Sequence, residues 1–376
     1  MSSRISSPRS EAGLWLGVLA RVRQDAWFYG AVLVYTAAGL LFLAAAGNSG
    51  GTSYSNYVFP GIKWLLVFLP VVALTYDVIS VVIRFDQRRS LAYKRVFSRK
   101  RISSLLAGLA IMAGIIVFYG TFTSVKTTLP MMFDGFLYDR VQADLDAMLH
   151  FGTDPWRLVH VMQGQETITA IVNFNYGPVW FSLCFGGLFF VATSPRADGY
   201  RMRYLMMFMF VWVVIGNLLA GAFLSAGPVY YGQVTGDEER FAGLLAFLAL
   251  DQSTRSVQEY QQYLWVLYEA RVPGIASGIS AFPSVHVALA TMNALFVLER
   301  SRRWGILALV YVAIVQASSV FLGWHYAIDG YASIVLVVSA HFVLRRVMRA
   351  TNSLQAPGVA GGHGSVPGLG NVARPM

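Results

Sequence analysis

Apolar residues in this chain come in long uninterrupted runs, not in the alternating or one-sided patterns of water-soluble strands and helices. Runs of about 20 residues, enough to cross roughly 30 Å of hydrocarbon as a helix, recur along most of the chain. Eight are predicted: 27–46, 62–83, 103–122, 168–192, 204–226, 283–299, 304–322 and 325–345. The fold class is therefore all-α, a polytopic membrane helix bundle of about eight spans. The N-terminus, MSSRISSPRSEAG, is polar and lacks a small-residue cleavage site, so the first span is expected to be retained. From Thr351 the chain turns rich in Gly and Pro, which predicts a disordered tail.

Two stretches between spans carry a helical period of their own. In MMFDGFLYDRVQADLDAMLHFG, Phe136, Leu137, Val141, Leu145 and Leu149 recur between charges, as in a helix lying at the membrane interface. ALDQSTRSVQEYQQYLWVLYEARV repeats the pattern. Both are expected to border the mouth of the bundle as a lid.

Composition agrees with the pattern: 56% of residues are hydrophobic and only 13% charged. The net charge of +10 would point to nucleic acid in a soluble protein, but its placement assigns it to topology instead. The linker Arg84 to Arg101 holds eight basic residues and one acid, the mark of a cytoplasmic loop under the positive-inside rule. Counting from it, the N-terminus and the SPRADGYRMR, ERSRR and LRRVMR segments also fall inside, and each is basic. Both termini are thus expected in the cytoplasm, and no nucleic-acid partner is needed. The single cysteine, Cys184, rules out an intrachain disulfide and a thiolate metal cluster.

Topology sorts the six histidines. His363 lies in the tail, and His341, sixteen residues beyond His325 on one helix, is about 24 Å from it. His286 and His325 each begin a span on the outer side, so they share a membrane depth. Asp329 follows His325 by one helical turn on the same face. A lone histidine at a helix start is ordinarily interfacial, and a lone aspartate there a cap. Ionisable residues inside a membrane are costly, however, and three at one depth point to function. Two histidines and a carboxylate suit phosphoryl transfer without a metal or other cofactor: one imidazole attacks phosphorus, the aspartate supports the resulting cation, and the second histidine protonates the leaving oxygen. Pro283 at the first helical position, the Ser284 hydroxyl and the free amides of that turn would receive phosphate oxygens. A zinc site on His286, His325 and Asp329 is the rival chemistry, although HEXXH-type spacing is absent.

These residues resemble a known family. PSVH (Pro283 to His286) is similar to the PSGH motif of the type-2 phosphatidic acid phosphatase superfamily, and SSVFLGWHYAID (Ser318 to Asp329) to its SRxxxxxHxxxD motif. The order and placement come nearest to the inositol phosphorylceramide synthase-like branch, which FDGFLYDRVQADLDAMLHFGTDPW and AGPVYYG also resemble. The resemblance implies His325 as nucleophile, Asp329 as its support, His286 as acid on the leaving group, and Ser284 and Ser318 as substrate contacts. It implies membrane lipids as donor and acceptor, with a phosphoinositol-like headgroup moved to a lipid alcohol such as ceramide at the outer face. A lipid phosphatase using the same residues and, more distantly, a transporter or scaffold are the other readings.

Two departures matter. The arginine after the motif serine is Ser319 here, and no KxxxxxxRP motif precedes PSVH. A replacement cation is sought among Lys126, Arg140, Arg157, Arg240, Arg255 and Arg271 in the outer segments, with Arg271, twelve residues before Pro283, the first choice, and arginine favoured over lysine because its fork suits phosphate. Asn173, Asn175 and Asn217 read as helix bridges, Asp77 as structural, and His150 and His160 as lid residues outside the chemistry. The chain divides into a cytoplasmic segment (1–24), N-terminal spans with a basic loop (25–129), a catalytic membrane domain (130–350) and the tail (351–376).

Overall fold

The computed structural model describes residues 8–84, 87–160, 166–250 and 255–355. Its helices are α1 (Pro8–Gln24), α2 (Ala26–Ala45), α3 (Tyr54–Arg84), α4 (Arg89–Val96), α5 (Arg99–Met132), α6 (Asp139–Leu149), α7 (Pro155–Val159) and α8 (Thr167–Thr193). They continue as α9 (Arg201–Ala222), α10 (Tyr231–Thr235), α11 (Ala242–Leu250), α12 (Arg255–Ala270), α13 (Val285–Leu298), α14 (Arg302–Phe321) and α15 (Ala327–Gln355). Among the described residues, seven helical stretches are long and apolar enough to cross a bilayer. The chain is an all-helical membrane bundle.

The eighth expected span is α13, and it is short. Fourteen residues rise only about 21 Å, less than a bilayer needs. The shortfall is tolerable because α13 does not face lipid: Val287, Ala288, Leu289, Ala290, Met292 and Ala294 are buried among α8, α9, α14 and α15. The irregular stretch just before it is buried at Ser277, Ile279, Ala281 and Ser284, the condition for non-helical backbone at membrane depth. Pro283 accordingly precedes the helix and does not open it. Ser284 is the N-cap, its hydroxyl accepting from the Val287 amide at 3.4 Å.

The core forms around α5, a helix of 34 residues and so about 51 Å long. Ile111, Met112, Ile115 and Phe118 are fully buried there and meet Phe28, Leu188, Phe208 and Val211 from neighbouring helices. Hydropathy alone ends this span near residue 122, yet the helix runs ten residues further. Ser124, Thr127 and Thr128 donate their hydroxyls to the carbonyls of Gly120, Thr123 and Ser124, so polar side chains are satisfied without leaving the helix. Lys126 therefore sits on a buried helix and not in a loop. At the periphery, α2 and α3 expose Leu33, Leu41, Phe59 and Ile83, the surface that hydrocarbon covers.

The first 24 residues, expected as a polar segment, include the helix α1, which Arg21 ties to Asp198 at 2.9 Å. Helix α15 extends to Gln355, into the expected tail, whose remainder, including His363, lies outside the described residues. At the end of the bundle away from His286 and His325, Glu299 receives Arg203, Arg345 (3.2 Å) and His341 (3.0 Å). Asp25 receives Arg201 (3.2 Å), and Asp77 receives Arg101 (3.3 Å). His341 and Asp77 are thus structural, as their sequence positions predict.

Candidate active site

His325 is placed by the way α14 stops. Leu322 ends the helix, Gly323 follows at φ +71°, its amide donates to the Val320 carbonyl (3.1 Å), and the Trp324 amide donates to the Ser319 carbonyl (3.0 Å). This is the Schellman arrangement, whose left-handed residue is nearly free of strain only for glycine. The chain is turned back toward the bundle within three residues, and His325 is the first side chain after the turn.

The ring is then fixed from two sides. Nδ1 of His325 lies 2.7 Å from the Ala281 carbonyl and 3.2 Å from Oδ2 of Asp329. The Ala281 carbonyl can only accept, so Nδ1 carries the proton and Nε2 is left with its lone pair. Asp329 is wholly buried; its Oδ2 also accepts the Tyr326 amide (3.0 Å), while Oδ1 is buried without a partner among the described residues. The two motifs are joined through backbone as well: the Ser284 amide donates to the Asp329 carbonyl at 3.2 Å.

His286 is held differently. Its ring stacks on Tyr176 (centroids 4.5 Å apart, 12° between planes) and lies 4.0 Å from Trp180, whose indole donates to the His286 carbonyl at 3.0 Å. Aromatic walls of this kind fix the plane of the imidazole and leave its edge for a ligand. His286 and His325 both line one cavity of about 340 Å³, together with Lys126, Asn173, Tyr260 and Ser280, within the size range of small-molecule sites.

The structure separates the six basic candidates. Lys126 lines the cavity, with Nζ 5.9 Å from the Phe122 ring centroid. Arg271, the first choice from sequence, is exposed just past the end of α12 and does not line it. Arg240 is committed to Asp144 (2.5 Å) and Asp154 (3.0 Å), Arg140 to the Thr235 carbonyl, and Arg157 lies against Trp156. The side chain of Arg255 is outside the described residues. Ser284 and Ser318 are buried and do not line the cavity, although Pro283 and Val285 do. Asn217 bridges to Tyr35 (2.7 Å) and Asn173 reaches the cavity wall. His150 approaches the Tyr331 hydroxyl (3.1 Å), and His160 is packed between Phe247 and Phe321.

Helix α6 contributes what sequence reading missed. Its apolar residues Val141, Leu145, Met148 and Leu149 are exposed, while Asp139, Gln142, Ala143 and Asp146 are buried. Asp139 accepts the amides of Ala226 (2.8 Å) and Gly227 (2.9 Å) and the Tyr326 hydroxyl (2.8 Å). Asp146 accepts the amides of Ala327 (2.9 Å) and Ile328 (3.0 Å), capping α15 from another helix. Burial pushes both carboxyls up from the usual carboxylate range, and these donors pull them back. Asp146 thus holds the backbone just after His325, and Asp139 holds the Ala226–Gly227 turn and the Tyr326 side chain beside it. Gly227, at φ +99°, completes the contact: a Cβ there would come within 2.8 Å of the Trp324 carbonyl. The available signal was Asp139 and Asp146 seven residues apart, on the face opposite the apolar stripe. Charges there ordinarily read as a solvated face.

A family model described as the PAP2 superfamily matches residues 142–343, more than half of the chain. The chain belongs to the PAP2 superfamily. No curated protein matches it, and no solved structure does. The PAP2 match begins within α6 and ends in α15, so it takes in both histidines, Asp329 and Asp146. Lys126 and Asp139 lie ahead of it. Membership in the PAP2 superfamily gives the site its chemistry, which is phosphatase or phosphotransferase reaction on lipid phosphates.

Proposed function

We propose that this PAP2 superfamily member transfers a phosphoinositol-like headgroup from a glycerophospholipid to a lipid alcohol such as ceramide, through a phosphohistidine on His325. The observation that carries the reading is the pair of acceptors on Nδ1 of His325, which leaves Nε2 as nucleophile beside His286 in one cavity. Nε2 attacks phosphorus and the bond to the diacylglycerol oxygen breaks. Protonated His286 gives that oxygen its proton, and the ring of His325 becomes a cation facing the Asp329 carboxylate. The acceptor hydroxyl then attacks phosphorus, passing its proton to His286, and the bond to Nε2 breaks. Lys126 replaces the missing motif arginine as counter-charge to the phosphate. Basic segments at the opposite end of the bundle support an outer-face site under the positive-inside rule.

The test uses purified full-length protein in lipid nanodiscs with labelled phosphatidylinositol and ceramide. Acceptor-dependent formation of a labelled phospholipid, and trapped label mapping to His325, are expected. Release of labelled inositol phosphate to water with no dependence on ceramide would favour a hydrolase. Label on another residue would overturn the mechanism.

A further inference from the structure

His286 faces two cavities. Besides the more polar one shared with His325, a second of about 480 Å³ is lined by Trp64 of α3, by Tyr176, Pro178, Trp180 and Ser182 of α8, and by His286. Apart from His286, all of these belong to stretches long and apolar enough to span a membrane. Trp64 is 44% exposed, so the mouth opens where hydrocarbon lies.

Both walls are unusual helix. Ile62–Phe68 and Asn175–Val179 are π-helical, a geometry that gathers at functional sites because the wider turn redirects side chains. Almost nothing polar faces the space. The Ser182 hydroxyl is spent on the Pro178 carbonyl (2.7 Å). Tyr176, only 6% exposed and lining both cavities, keeps a buried hydroxyl with no partner among the described residues. An unpaired buried hydroxyl is unfavourable, and a ligand hydroxyl at the boundary of the two cavities would supply the missing partner.

We propose that the second cavity is the acceptor's site: it takes the hydrocarbon chain of a lipid alcohol from the bilayer and presents its hydroxyl to Tyr176 and His286. The inference rests on the transferase reading. The donor's phosphate occupies the more polar cavity beside Lys126 and His325, and the acceptor approaches the same phosphorus from the apolar side. His286 stands between them, giving a proton to the first leaving oxygen and taking one from the second hydroxyl. Water is held off by the apolar lining, which favours transfer over hydrolysis.

Full-length protein in nanodiscs tests this with two readouts: diacylglycerol released from phosphatidylinositol in a single turnover without acceptor, and steady-state transfer to ceramide. Ser182→Trp fills the second cavity, and Leu183→Trp on the exposed side of the same helix controls for bulk. Ser182→Trp is expected to raise the KM for ceramide about ten-fold or more, the signature of lost ground-state binding, with single-turnover release unchanged. Should that variant fail to fold, Ser182→Leu places a smaller apolar side chain in the same space, with the same expected split. A parallel fall in both readouts would assign the cavity to the donor's chains and overturn the proposal, as would no change in either. Absence of ceramide-dependent product from the wild type would sink the transferase reading itself, before any variant is compared.

Discussion

Replacing Asp329 by Asn separates two roles that a carboxylate beside a histidine usually combines. In hydrolase triads the acid both selects the imidazole tautomer and stabilises its cation, and losing the tautomer there costs about 10⁴-fold in rate. Here the tautomer has a second guardian. The Ala281 carbonyl, 2.7 Å from Nδ1, is backbone and survives any side-chain change at position 329. Asp329→Asn also keeps an oxygen for the Tyr326 amide, so what it removes is charge. Opposite charges about 4 Å apart interact by about 4 kcal/mol at an effective dielectric constant of about 20. With the amide dipole recovering part of that, the net loss is about 3 kcal/mol. At 1.36 kcal/mol per decade, kcat should fall about 10²-fold. The assay is single-turnover formation of the phosphohistidine, with His325→Ala as the floor. An Asn variant as inactive as His325→Ala would refute the reasoning, since the Ala281 carbonyl would then not be holding the proton on Nδ1.

Lys126→Met should lower kcat/KM for the phospholipid donor about 10- to 100-fold, the worth of a charged hydrogen bond, with Lys126→Arg retaining more. An unchanged value would show that phosphate is neutralised elsewhere. Asp146→Ala strips the amides of Ala327 and Ile328 of their acceptor and should cost about 2–5 kcal/mol, read as a lower Tm in nanodiscs together with a lower kcat. A fall in Tm with kcat intact would make the Asp146 contact purely structural.

The spans were legible because a bilayer imposes a length: seven of the eight apolar runs correspond to helices that satisfy it. The eighth shows the limit of that logic, since α13 is buried by other helices and need not reach across. His286, His325 and Asp329 were legible because charge is expensive at membrane depth, so clustering carries meaning. Arg271 and Lys126 were not distinguishable on those terms. Which outer basic residue enters the bundle depends on how far α5 continues, and that is decided by hydroxyls bonding back to the helix, invisible to hydropathy. Asp139 and Asp146 were hidden for a related reason. An amphipathic helix at an interface normally turns its acids to water, and only the tertiary fold reveals that the amides around His325 need them more.

Helix α6 therefore has no free side. One flank anchors the backbone that carries His325, and the other leaves Val141, Leu145, Met148 and Leu149 uncovered. Under the proposed mechanism, lipid against that face would act as a mechanical support for the geometry at His325. Bilayer thickness and headgroup packing, or their replacement by a micelle, should register as changes in turnover even where substrate concentration in the membrane is held constant.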